Sequence, residues 1–457
     1  MHKYDVAVVG AGVAGLYASY VLALKGWKVA LVESKHRSKI GDRVCGDAIG
    51  THHFKELGIH IPDNVVDHRY KGVKVYSPSE QYSIIVPGEG ISINRYKFGQ
   101  WLITKALDSG VELYDQHVVV DVEVVNNEVK SLKVKKVNSG VVEIEAKAYI
   151  DASGYKPAIR SKLPRDWPIS ERPYTTDYNI AYREVVELEE PVSEQDVDYA
   201  VIYINVDTAP GGYWWLFPKT SDGVVANVGL GVVNNGLHNP RLNFEKYLRP
   251  RFRGKTIHSG GGVVPTRRPL PTLVWRNIAV VGDAAYTVNP VHGGGIGSSM
   301  LSSHIVSKYL SSALEQGRVD EETMWSVNVE YMSTYGSKQA GLDILRMYMQ
   351  KLSNEDYEWI MKNRIVDGSS VYELGTRGEI SSAVLHAIAS FIKLLGRPTL
   401  LNQLRTVRHY MNKAQALYAE GYPDNPRKLH MWIRQVEELY REYTELIGFN
   451  RGELVKW

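Results

Sequence analysis

Cysteine is almost absent from this 457-residue chain: Cys45 stands alone. One thiol excludes an intrachain disulfide, a redox thiol pair and a four-cysteine iron–sulfur cluster. A surplus of one charge is equally lacking. The 54 Lys and Arg nearly balance 51 Asp and Glu, and a net +3 gives no reason to expect nucleic acid as a partner. No apolar run reaches the ~20 residues that a bilayer span needs. The most apolar late stretch, Ala383 to Leu395, is interrupted by His386 and Lys393. The opening residues read directly as a strand, so no secretory leader is expected, and the placement is cytoplasmic with room for peripheral contact at the inner face of a membrane. No cluster of His, Cys and Asp has metal-ligand spacing, and no metal is expected. Phenylalanine is scarce too, at 7 residues, whereas Tyr and Trp number 29 and 10. Amphipathic aromatics of that kind suit a surface that meets both water and an apolar ligand, although a Tyr-rich core has the same composition.

The clearest positive signal is at the start. Asp5 to Val9 is a short β-branched run that enters Gly10-Ala-Gly12-Val-Ala14-Gly15. A helix follows, with Leu16, Tyr20, Val21 and Leu24 at helical spacing and Gly26 as its stop. Trp27 to Val32 then reads as a second strand ending on Glu33. This is a βαβ unit with a dinucleotide fingerprint: Gly10 for the turn, Gly12 for approach of a pyrophosphate, Gly15 for helix–strand packing, Glu33 for a ribose. NAD and FAD share it, so the fingerprint leaves the choice open.

Further along, Gly41-Asp-Arg43-Val-Cys45-Gly46-Asp47-Ala48 is too polar and glycine-rich for a helix or strand and reads as a shaped loop. Residues 70–93 read as strands broken at Ser77-Pro-Ser79 and at Pro87-Gly88. A helix opens at Asn94-Arg95, with Phe98, Leu102 and Ala106 on one face. Strands follow from Val111 to Ile150, turning at Asn126-Asn127 and Asn138-Ser-Gly140. From 177 to 264 the pattern becomes strands and long turns, and Trp275 to Val281 reads as one buried parallel strand. A helix then covers Gly297 to Gln316, and helical periodicity runs from Glu321 onward. The resulting fold class is α/β with an α+β insert. A Rossmann-type domain (1–176 with 265–316) carries an antiparallel substrate domain (177–264), to which part of 70–93 is assigned, and a helical region (317–457) follows.

Two later segments bear on the cofactor. Asp151-Ala152-Ser-Gly154 ends a strand, and Gly282-Asp283 is followed by Asn289-Pro290-Val-His292-Gly293-Gly294-Gly295-Ile296-Gly297 at the opening of a helix, where free amides favour an anion. With the N-terminal fingerprint, these segments resemble the FAD-binding triad of the aromatic-hydroxylase group of flavoproteins, which implies FAD. The same resemblance gives Arg95 a place on the FAD phosphates. Pro210-Gly-Gly-Tyr213-Trp-Trp215-Leu-Phe217-Pro218, with Gly229-Leu-Gly231, is similar to the Tyr-x-Trp-x-Phe-Pro and Gly-x-Gly signature of geranylgeranyl reductases. Cys45-Gly46 resembles that family's loop beside the flavin. The resemblance covers most of the chain and is closest to archaeal enzymes that saturate isoprenoid chains of membrane lipids. It implies reduction of a geranylgeranyl diphosphate or glycerol lipid, with an external donor, a reduced nicotinamide or a ferredoxin-like protein, since no second fingerprint is seen. It also implies cofactor contacts along Arg43 to Ala48 and Pro290 to Gly297. The alternative class is an FAD monooxygenase or halogenase, which shares the flavin segments.

The residues support that chemistry in their own right. On a strand, Tyr213, Trp215 and Phe217 share one face, a wall for a polyene or a core ladder. An isolated alkene is not activated toward hydride, so a proton must arrive at one carbon while positive charge develops at the other. Trp215 or Tyr213 is placed to stabilise that charge, and Cys45 is the candidate proton donor. His292 is read as a support of the flavin loop and a substrate neighbour, and Arg267, beside Arg268, either meets a lipid phosphate or pairs with acids of the protein.

Overall fold

The structure is a computed structural model that describes residues 2–136, 140–377 and 398–456. The stretch Ala383 to Leu395 and most of the turn Asn138-Ser-Gly140 lie outside them. Two sheets organise the chain. The first has the order Val274–Trp275, Ile278–Val280, Val141–Asp151, His2–Val9, Val29–Val32, Glu112–Tyr114, with Glu128–Lys136 and His117–Val125 as an antiparallel extension of Val141–Asp151. Its centre is parallel: His2–Val9 lies between Val29–Val32 and Val141–Asp151. A parallel sheet needs cover on both faces, and its centre, Val6–Val9, Val29–Val32 and Ala148–Ile150, is accordingly buried and almost wholly aliphatic.

The covering helices decide which side chains of the first helix are buried. The helix Val13–Leu24 buries Ala14, Gly15, Ala18, Ser19, Leu22 and Ala23, whereas Tyr20 and Val21 are half-buried and Leu24 is 61% exposed. It lies against Arg95–Asp108 and Ile296–Glu315 as well as the sheet. A helix enclosed on several sides does not show one apolar stripe. Trp275 to Val281 is likewise not one strand. Arg276, at φ 52°, turns Val274–Trp275 back antiparallel onto Ile278–Val280, and only the latter pairs in parallel with Val141–Asp151.

The second sheet has the order Gly254–Pro265, Tyr178–Leu188, Val225–Val233, Tyr213–Pro218, Tyr199–Tyr203, Val66–Tyr76, Ser83–Ile93, Ala48–Gly50. It is antiparallel except where Tyr199–Tyr203 runs parallel to Val66–Tyr76. Pro87-Gly88 does not break its strand. Proline lacks an N–H, but at Pro87 one side faces the irregular register at Gly72, and the outer partner Ala48–Gly50 reaches only residues 90–92. Helices from Trp325 onward close the remaining side, among them Ser337–Met349 and Pro398–Ala419, which pack together.

Candidate active site

Glycines bring the three nucleotide segments together. A Cβ on Gly10 (φ +101°) would sit 2.5 Å from the Ala152 carbonyl oxygen, and one on Gly282 would sit 2.9 Å from the Ala14 Cβ. The middle and late segments therefore both touch the opening fingerprint. At Gly12 a Cβ would meet nothing nearer than the Arg43 guanidinium at 3.8 Å, which leaves a backbone cradle open to a ligand. Glu33 accepts from the Ala11 amide at 2.7 Å and from the Lys35 amide at 2.9 Å, so it shapes the turn at the fingerprint; it does not line the cavity described below. Asp151 accepts from the amides of Ser153, Ile159 and Arg160 and holds the Ala152–Gly154 corner.

Arg95 is the most direct sign of an anion site. Asn94 caps its helix by accepting from the Lys97 amide at 3.0 Å, and the Arg95 Nε and Nη1 are buried with no hydrogen-bond partner among the described residues. Burial raises the Asp283 carboxyl above its usual range, while Arg43 and Arg95 pull it down, so these three charges face one cavity. The buried Arg95 nitrogens, with the exposed Arg43 guanidinium beside the glycine cradle, fit a pyrophosphate, and Asp283 fits a hydroxyl. The residues present suit FAD.

The cavity holds about 1300 Å³, more than one small ligand requires. Gly12, Arg43 to Ala48, Ala152, Gly154, Asp283 and Pro290 to Gly297 line it, as do Tyr213, Trp215 and Phe217. It continues among apolar side chains of the C-terminal helices, including Tyr348, Leu352, Tyr357 and Met361.

The aromatic strand behaves as its alternation requires. Trp215 and Phe217 stack at 5.9 Å and form one buried cluster with Tyr70 and Ala200, while Trp214 and Leu216 face another core. A Cβ on Gly229 would meet the Trp215 ring at 2.4 Å, so that glycine lets the indole lie across the neighbouring strand. On its other side the wall meets the Cys45 loop: Phe217 lies 3.2 Å from where a Gly46 Cβ would be. Tyr213 donates to the His292 carbonyl at 2.6 Å and joins the wall to the glycine-rich loop.

The Cys45 loop is pinned from the second sheet by residues that the motifs did not reveal. Arg183 Nε (3.1 Å) and Asn227 Nδ2 (2.8 Å) donate to the Cys45 carbonyl, and Trp215 Nε1 donates to Asn227 Oδ1 at 3.0 Å. Asp47, at φ +68°, accepts from Asn227 Nδ2 at 3.1 Å and from Lys219 Nζ at 3.0 Å, and Lys219 also pairs with Asp67. A non-glycine residue in that region is strained and persists only where its surroundings hold it. The Asp47 amide donates to the Cys45 sulfur at 3.3 Å. Burial pushes the thiol up from its ordinary range and the Asp47 carboxylate adds to this, against Arg95 and Arg183, so the proton stays on sulfur at neutral pH. A charged residue inside the apolar strand Tyr178–Leu188 was the one available hint of Arg183.

His292 lines the cavity, and burial lowers it to about 4; His53, which the motifs also missed, falls to about 3. Both are neutral at pH 7. The structure does not bring Arg267 to the cavity. It is 1% exposed, pairs with Glu171 at 2.9 Å, and lies 3.5 Å from Asp177, with Arg268 on the same Glu171 at 2.6 Å. Of the two readings of that arginine pair, the protein's own acids are the partner: both side chains are buried on Glu171, and the Arg268 amide donates to Asp343 on the Ser337–Met349 helix.

These observations agree with known proteins. Residues 177–264 match the geranylgeranyl reductase catalytic domain, and residues 5–155 match FAD dependent oxidoreductases. The chain is 38% identical over 98% of its length to digeranylgeranylglycerophospholipid reductase of Sulfolobus acidocaldarius, covering 99% of that protein. The Picrophilus torridus protein of the same name is 30% identical over 70% of this chain and 81% of its own. Among solved structures, a geranylgeranyl bacteriochlorophyll reductase-like protein from Thermoplasma acidophilum superposes with a TM-score of 0.71 at 22% identity, covering 96% of this chain and all of that one. A myxobacterial FAD-dependent chondrochloren halogenase follows at 0.64 and 15%, covering 97% of each chain, a likeness of fold alone. On the relationship to the Sulfolobus protein, and with its FAD segments and aromatic wall in place, the chain belongs to the geranylgeranyl reductase family of flavin-dependent oxidoreductases.

Proposed function

We propose that this protein saturates isolated C=C bonds in geranylgeranyl chains of isoprenoid diphosphates or glycerol ether lipid precursors. The observation that carries this is the contact of the Trp215–Phe217 wall with the Cys45–Gly46 loop, inside a cavity that opens into apolar helices. When bound, reduced FAD supplies a hydride. The protein supplies position and a proton. The aromatic wall and the helices bury the polyene at roughly 25 cal/mol per Å² and exclude water. Cys45 gives its proton to one alkene carbon. The other, tertiary carbon gains positive charge against the Trp215 ring, an interaction of about 2 kcal/mol when desolvated. Hydride and proton together complete the saturated bond, and the thiolate regains a proton from water.

The proposal includes an external electron donor, a reduced nicotinamide or a ferredoxin-like protein. The sequence holds one fingerprint, already used by the FAD segments. It also includes peripheral contact with the inner face of a membrane, where a long-chain lipid is available; among the described residues no helix is long and apolar enough to cross one. The test is anaerobic incubation of dithionite-reduced holoenzyme with geranylgeranyl diphosphate and with a digeranylgeranylglyceryl phospholipid, read by mass. Gains of whole hydrogen pairs are expected. An unchanged mass, or oxygen uptake coupled to substrate in air, overturns the proposal.

A further inference from the structure

Loss of Arg267 from the substrate site leaves the question of what meets a substrate's phosphate. The cavity wall holds further basic side chains besides Arg43 and Arg95. The rings of His52 and His53 are 4.0 Å apart. His53 lies against Gly297 at the start of the Ile296–Glu315 helix, and His292 lies against Gly294. Lys338, on Ser337–Met349, lines the same cavity near enough for its charge to act on all three histidines, its Nζ 5.5 Å from the Tyr335 ring centroid. Lys55 lies close by but is neutralised by Glu89 at 2.8 Å. Lys338 has no carboxylate within ion-pair distance among the described residues. Burial holds its pKa down to about 8, against the opposing field of Glu56. A half-buried ammonium without a paired carboxylate is stabilised when an anion arrives. His52 is exposed and His53 half-buried, so the group spans from the cavity's edge to its interior.

We propose that Lys338, with His52 at the edge, seats the phosphate of the substrate, while the isoprenoid chain runs inward past Trp215. This rests on the reading of the substrate as a geranylgeranyl phosphate or lipid. It assigns phosphorylated substrates a binding advantage that the free alcohol lacks.

Two measurements on holoenzyme test it. The first compares KM for geranylgeranyl diphosphate and geranylgeraniol in the wild type, Lys338→Met and Lys338→Arg. Loss of a charge-assisted contact is expected to raise KM for the diphosphate roughly tenfold or more in Lys338→Met, with the alcohol little changed and Lys338→Arg close to wild type. Equal effects on both substrates overturn the site, as does an altered flavin midpoint potential with KM unmoved. The second needs no turnover: inorganic pyrophosphate is expected to raise the melting temperature of the wild-type holoenzyme and not that of Lys338→Met. Pyrophosphate protection without reduction of any geranylgeranyl substrate would sink the proposed function and keep the anion site. Equal protection of wild type and variant, or none in either, would sink the site.

Discussion

Cys45 owes its chemistry to its neighbours. A lone thiol near its ordinary pKa of about 8.5 is a modest acid. Here burial and the Asp47 carboxylate keep it protonated, and hydrogen bonds from Arg183 and Asn227 hold its backbone against the second sheet. Replacing Cys45 with Ser is expected to lower saturation by about 10²-fold or more while the bound-flavin absorbance stays as in wild type; product mass and the visible spectrum check both halves. Lys219→Met removes the ammonium shared by the Asp47 and Asp67 carboxylates, of which the first is 5% exposed. An uncompensated buried charge costs about 3–5 kcal/mol, and denaturant unfolding should show it. Arg95, with two buried donors unpaired, makes the simplest prediction. Arg95→Met should weaken FAD binding roughly 10- to 100-fold, measured by recovery of flavin fluorescence.

Among the elements, the opening strand–turn–helix tolerates least. A Cβ on Gly15 would stand 1.9 Å from the Gly10 carbonyl oxygen. Gly15→Ala is therefore expected to push the Val13–Leu24 helix off its strand, lowering the melting temperature and abolishing FAD retention on gel filtration. The fingerprint, the capped Arg95 helix and the alternation of Tyr213 to Phe217 were all legible because each is local. A turn, a cap and a period of two are decided within a few residues. Arg267 was not legible in that way. A proline-flanked arginine looks the same whether its acid is a ligand or Glu171, nearly 100 residues away. Lys219, Asn227 and Lys338 carry no motif at all, since each acquires its role from a partner on another element. The Val13–Leu24 helix was legible from its spacing, but how many of its sides are covered depends on helices far along the chain.

At the scale of the molecule, a buried ionic network ties the two sheets to the C-terminal helices. Arg267 and Arg268 share Glu171, Arg346 pairs with Asp343, and Arg346 and Arg451 both approach Asp177. The two arginines hold Glu171 down to about 2 against the opposing effect of burial. Its folded pKa is depressed, so the stability it confers is complete above its unfolded value near 4.3 and is lost as pH falls toward 2, on the order of 3 kcal/mol. His53 and His292 act in the same direction at higher pH. Both are lowered by burial, so stability falls as pH drops below their unfolded value of about 6.5. Thermal melting between pH 7 and pH 2.5 is expected to decline in two stages, and Glu171→Gln should start lower at pH 7 yet show a smaller second stage than the wild type.

The one parallel pairing in the second sheet has a consequence during synthesis. Val66–Tyr76 leaves the ribosome roughly 130 residues before Tyr199–Tyr203, an interval on the order of 10 s at typical elongation rates. For that time one edge of the nascent hairpin with Ser83–Ile93 waits unpaired, the condition under which strands join the wrong neighbour. The waiting strand carries Arg69, Lys71 and Lys74, and like charges on an edge discourage such pairing. When the later segment arrives, Lys74 becomes buried against Asp196 at 2.7 Å and Lys71 meets Asp198 at 2.5 Å. The charges that keep the unfinished edge apart from others become the bonds that close it.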